Sequence, residues 1–161
     1  MEPEIKALPR MNVIIFEAFS QDCETKAFEK MKEWLKENNS TMKPYRIFGH
    51  NIDSSGNLTY EPQHAGYKIF LYLENSDNKF SKGKFDIINE GIFLVTRTEG
   101  EIENVSQWLV EGWNKVNKTI QDKKIKVKES PRWFEEHIRT EKPNYMIVDL
   151  YVEIEQKSTT T

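Results

Sequence analysis

Trp34-Leu35-Lys36-Glu37-Asn38 and Trp113-Asn114-Lys115-Val116-Asn117 share the pattern Trp-x-Lys-x-Asn, 79 residues apart. The same offset carries Val13 onto Ile92, Ile15 onto Leu94, and Leu71-Tyr72-Leu73-Glu74 onto Leu150-Tyr151-Val152-Glu153. One spacing that holds for a strand, a helix and a closing strand points to a duplicated unit.

Outward from the first match, Phe28, Met31 and Leu35 fall at i, i+3 and i+7, one face of an amphipathic helix. Ser20 or Asp22 is placed to cap it, and Asn38-Asn39-Ser40 ends it. The apolar, β-branched run from Met11 to Phe19 reads as a buried strand before this helix. Tyr45 to Ile52 reads as a strand, 53–57 as a turn, and Gly66 to Glu74 as another strand. The second half repeats the order: strand from Gly91 to Thr98, helix from Glu103 to Gln121, short strand from Trp133 to Ile138, closing strand from Tyr145 to Glu155.

Each half is thus a βαββ unit whose helix must bury its apolar stripe on a sheet. The expected fold is α+β, with two pseudo-twofold-related halves forming an antiparallel sheet, two helices and a central ligand groove. A single domain over 1–155 is expected, with halves of about 5–76 and 84–155 and a disordered tail at 156–161.

With 30% charged and 37% hydrophobic residues, the chain has the balance of a soluble globular protein. A net charge of -3 gives no electrostatic reason for a nucleic-acid or membrane partner, and the lysines are interleaved with acids. The lone Cys23 excludes a disulfide framework and any multi-cysteine metal site. Without a secretory leader or an apolar membrane segment, a cytoplasmic location is expected. His50, His64 and His137 lack the short spacings of a zinc site, and no phosphate loop or nucleophile motif occurs.

The chain resembles the GyrI-like effector-binding family, the ligand-sensing domain of MerR- and AraC-type multidrug regulators. The likeness rests on Phe28-Glu29-Lys30-Met31-Lys32-Glu33-Trp34-Leu35, on Phe48-Gly49, and on Gly91-Ile92-Phe93 with Leu109 and Trp113. Its most specific part is Pro131-Arg132-Trp133-Phe134-Glu135-Glu136-His137 followed by Asp149-Leu150-Tyr151-Val152. The resemblance implies no cofactor and no metal, and a stand-alone sensor or sequestering domain without a DNA-binding module. It implies binding of small amphipathic, cationic or aromatic molecules, with Glu135 at the base of the groove facing the ligand. A family branch hydrolyses reactive cyclopropane-containing genotoxins, which keeps hydrolysis by Glu135 with Tyr72 as acid as the alternative. A gyrase-modulating interaction protein is the third reading; the scattered acids do not favour it.

Strand alternation gives an expectation for the faces: Phe134 toward the helices and Glu135 away, with Glu136 opposite Glu135. Read alone, Glu135 is an ordinary exposed strand glutamate. Gly49 matches Glu135 in the first half, which leaves one carboxylate in a duplicated groove. Tyr72 and Tyr151, related by the offset, are candidate walls for a flat cation, or else half-buried strand tyrosines. Trp133 shares the face of Glu135, Trp108 sits one residue off the Leu109/Trp113 core stripe and leans into the groove, and His137 neighbours Glu135. A surface role is the simpler reading of His137. Trp34 and Trp113 are read as core.

Overall fold

The computed structural model describes residues 2–38, 40, 44–74 and 83–156. Asn39, the end of the first expected half at 75–76, and the tail from 157 lie outside them. The elements are β1 (Glu4–Leu8), β2 (Met11–Ala18), α1 (Cys23–Glu37), β3 (Tyr45–Ile52), β4 (Gly66–Leu73), β5 (Lys84–Ile88), β6 (Gly91–Glu101), α2 (Val105–Asp122), β7 (Trp133–Ile138) and β8 (Tyr145–Glu153). A 3₁₀ turn, Ile102–Asn104, leads into α2. The class is α+β, and all strand pairings within each unit are antiparallel.

The chain divides into two compact units, Arg10–Asn89 and Met1–Pro9 with Glu90–Thr161. The first has strand order β3-β4-β2-β5 and the second β7-β8-β6-β1. The leading strands are therefore exchanged. β1 precedes β2 in sequence but pairs with β6, and β5 precedes β6 but pairs with β2. Both exchanged ladders close on the same kind of pair, Leu8 with Gly91 and Ile88 with Met11.

These ladders correct the spacing of the repeat. Met11 answers to Gly91, a separation of 80 rather than 79. Ile14 lies opposite Leu71, and its counterpart Leu94 lies opposite Val152, so β4 and β8 are 81 apart. On that register Glu17 faces Lys68 in the first unit and Arg97 faces Asp149 in the second. The repeat preserves a cross-strand ion pair with its charges reversed. Tyr151 then answers to Phe70, and Tyr72 to Glu153; the two tyrosines are not equivalent.

Each sheet buries one face under its own helix. In the first unit Ala27, Met31, Trp34 and Leu35 of α1 pack on Ile14, Phe16, Ile47, Ile69 and Leu71. In the second, Trp108 and Val116 pack on Leu94, Val148 and Leu150, with Leu109 and Trp113 half-buried beside them. The stripe of α2 thus centres on Trp108, Gly112 and Val116, with Leu109 and Trp113 at its edge. Gly112 permits this, because a Cβ there would lie 2.8 Å from Thr98 Cβ. No helix among the described residues is long and apolar enough to cross a membrane.

Candidate functional site

β7 is six residues long, and its register on β8 sorts its side chains. Trp133, Glu135 and His137 lie opposite Val152, Leu150 and Val148. Leu150 and Val148 belong to the cluster under α2, and the Trp133 ring meets Trp113 of α2 edge-on, 5.6 Å between centroids at 88°. Directly opposed residues of an antiparallel pair share a face. Glu135 therefore points to the side that carries α2. Phe134 points the other way, opposite Tyr151 and 6.0 Å from the ring of Phe93. The expected orientation of the two is inverted. Phe93 and Tyr151 give the bulky Phe134 apolar partners on the side away from the helix.

Glu135 is 8% exposed. A carboxylate removed from water to this degree is held at a cost that polar neighbours or a cation must offset. Trp133 and His137 flank it on the same face of β7. Burial pushes the His137 ring down to about 4, so the ring is neutral near pH 7. Trp113, read as core, completes this group with its half-buried ring. A signal for it was present: an indole three residues before the buried Val116 stands off the true stripe.

On the face turned from α2, the Tyr151 hydroxyl donates to Glu136 Oε1 at 2.6 Å, both side chains buried. Across from Glu136 lies Asp149, gripped by Arg97 through Nε to Oδ1 at 2.8 Å and Nη2 to Oδ2 at 3.1 Å. The matching row of the first unit is Glu17, Lys68 and His50. Burial, and then the charge of Lys68, push His50 down to about 4.

Of the expected site residues, the structure brings together Trp133, Glu135 and His137. Tyr151 lies on the other face of the same sheet, with its hydroxyl engaged by Glu136. Tyr72 is half-buried opposite Arg46, on the face of its own sheet turned from α1. Trp108 is a core residue. Its indole N–H donates to the Glu101 carbonyl at 2.8 Å, and its ring lies on Gly100, where a Cβ would come within 2.6 Å of Nε1.

Glu153, the counterpart of Tyr72, anchors the segment before β7. Arg132 donates to it through its backbone N–H and Nε at 3.1 Å and through Nη2 at 2.8 Å, and Lys128 lies at 3.3 Å. Burial alone would raise this carboxyl; the hydrogen bonds and charge of Arg132, with Lys128, outweigh it and hold it at about 2 against an ordinary 4.5. A depressed carboxyl stabilises the fold above its unfolded pKa, and that contribution is lost as pH falls through the folded value. Glu153→Gln is expected to flatten the acid limb of a urea-derived stability profile between about pH 4.5 and 2, removing on the order of 2–3 kcal/mol of pH dependence. An unchanged slope would separate Glu153 from the acid response.

Paired βαββ units with exchanged leading strands define the α+β fold of this chain. Solved structures share it. The C-terminal domain of EcmrR superposes with a TM-score of 0.65 at 10% identity, covering 97% of this chain and 98% of that one. SAV2435 bound to tetraphenylphosphonium gives 0.63 at 10% identity, covering 96% and 94%. EcmrR in a DNA complex gives 0.64 at 10% identity; there the match covers 97% of this chain but spans only 58% of the EcmrR chain. At such identity the likeness is one of fold. No protein-family profile and no curated protein matches the sequence.

Proposed function

We propose that this chain binds small amphipathic, cationic or aromatic molecules on the α2 side of β7, for sensing or sequestration. The observation that carries the reading is Glu135, an 8% exposed carboxylate flanked along its strand by Trp133 and His137. Aromatic rings and an acidic side chain on one strand face suit a lipophilic cation, which offers charge and flat apolar surface but few hydrogen bonds. SAV2435, of the same fold, is bound to such a cation, tetraphenylphosphonium.

Hydrolysis gains no support from the positions of the tyrosines. Tyr145 and Tyr151 of β8 both lie on the face opposite Glu135, and Tyr72 faces away from α1 on its own sheet. Binding is the better reading. Equilibrium dialysis against tetraphenylphosphonium and tetraphenylborate, matched in shape and opposite in charge, tests it. The phosphonium is expected to bind saturably and the borate not; equal uptake of both would remove the carboxylate from the explanation.

A further inference from the structure

β5 ends the sheet of the first unit, and no strand among the described residues pairs with its outer side. Two hydrogen bonds fix which of its backbone groups face outward. The Ile87 N–H donates to the Asp86 carboxylate at 2.8 Å rather than into the ladder with β2. On β2 the Glu17 carbonyl turns from β4 and accepts from Lys30 Nζ at 2.6 Å. Because such groups alternate in an antiparallel ladder, Lys84, Asp86 and Ile88 bond β2, while Phe85 and Ile87 offer theirs outward. The side chain of Phe85 shares the α1 face with Ile14, its opposite in β2. α1 rests on β2 and β4 and leaves Phe85 and Ile87 50% and 39% exposed, beside a groove of about 460 Å³ lined with Asn12, Val13 and Ile14. Lys84 and Asp86 project from the other face, and both are exposed.

We propose that β5 is the interface with a second copy of this chain, the two strands pairing antiparallel about a twofold axis at Phe85. Phe85 then meets its own copy, and their outward N–H and C=O groups exchange two hydrogen bonds. Lys84 falls opposite the partner's Asp86, and Asp86 opposite the partner's Lys84. These positions are of the kind without ladder hydrogen bonds, where opposed side chains stand closest. Lys84 donates to Glu17 at 2.8 Å and has two further N–H groups for the new carboxylate. Like charges along an edge strand repel another strand, whereas this alternation selects one register. An axis at Asp86 would set that carboxylate against itself and oppose backbone groups already bonded to β2. An axis at Ile87 would lose both ion pairs. β1, the corresponding edge of the second unit, offers only Ile5 and Ala7 in place of Phe85 and Ile87. A five-residue ladder is a small interface, so the dimer is weak and fills at high concentration.

Sedimentation equilibrium over a concentration series measures the association. Wild type is expected to approach twice the chain mass as concentration rises. Asp86→Lys and Lys84→Asp each turn two attractive pairs into repulsive ones and should weaken association about tenfold or more. Mixing the two variants restores opposite charges at every pair, and the mixture should associate as wild type does. Phe85→Cys gives a reading independent of charge. Thiols at the axis lie within disulfide reach and should oxidise to a linked dimer, whereas those of Ile87→Cys, displaced along the strand, should not. Wild type, whose Cys23 is buried, is the control for that linkage. A wild type that stays monomeric, single variants that associate as wild type does, or a mixture of folded variants that stays apart overturns the proposal. So does a Phe85→Cys chain that oxidation leaves unlinked.

Discussion

Glu135→Gln is expected to weaken tetraphenylphosphonium binding about 10- to 30-fold, or about 1.4–2.0 kcal/mol. The substitution keeps the shape and one acceptor and deletes the charge. Two unit charges 4 Å apart attract by ~4 kcal/mol at an effective dielectric of 20. Four phenyl rings hold the phosphonium centre farther off than that, and the carboxylate gives up solvation on pairing, so a net effect of half or less follows. Glu135 is 8% exposed and lies between Trp133 and His137 on one face of β7. Glu136→Gln supplies the contrast. Glu136 lies on the other face, bonded to Tyr151, and its loss should alter stability while leaving affinity within about threefold. Dialysis and urea unfolding on the two variants separate a ligand counter-ion from a structural carboxylate. Equal affinity in wild type and Glu135→Gln would end the role given to this residue.

The periodicities of Phe28, Met31 and Leu35 and of the apolar runs at Met11 and Tyr145 were enough to read both βαββ repeats from the chain. β1 and β5 escaped because five residues with alternating charge, Glu4–Leu8 and Lys84–Ile88, carry little strand signal. Their exchange is a long-range pairing that no local pattern encodes. The offset of 79 follows identities, Trp34 with Trp113 and Leu71 with Leu150. The ladders instead preserve an interaction, Glu17 with Lys68 and Arg97 with Asp149, whose reversed signs are invisible to identity. Alternation correctly separated Glu135 from Phe134 but not which of them meets the helix, because β7 has apolar partners on both sides. The reading of α2 took Leu109 and Trp113 as the stripe and left Gly112 unused. A helical glycine marks the line where the backbone approaches the sheet, and that line runs through Trp108 rather than Trp113.

The reversed ion pairs make a second large effect predictable. Arg97→Met is expected to destabilise the chain by about 3 kcal/mol in urea unfolding, near the lower end for a broken buried pair because the Arg97 side chain is 34% exposed. Removing the guanidinium leaves Asp149, 3% exposed, directly across from Glu136, 5% exposed, with two carboxylates on one face and the Tyr151 hydroxyl on one of them. Asp149→Asn should cost less, since the partly exposed Arg97 keeps access to water when its partner is neutral. The double substitution R97M/D149N should recover much of the loss, giving a coupling of about 2 kcal/mol in a double-mutant cycle. The first unit predicts a weaker counterpart. Lys68 sits 3.6 Å from Glu17, and Lys84 holds the same carboxylate at 2.8 Å, so Lys68→Met leaves no orphaned charge and should cost only about 1 kcal/mol. The second lysine, rather than burial alone, then decides how much each reversed pair matters. Equal losses for Arg97→Met and Lys68→Met would contradict that ordering.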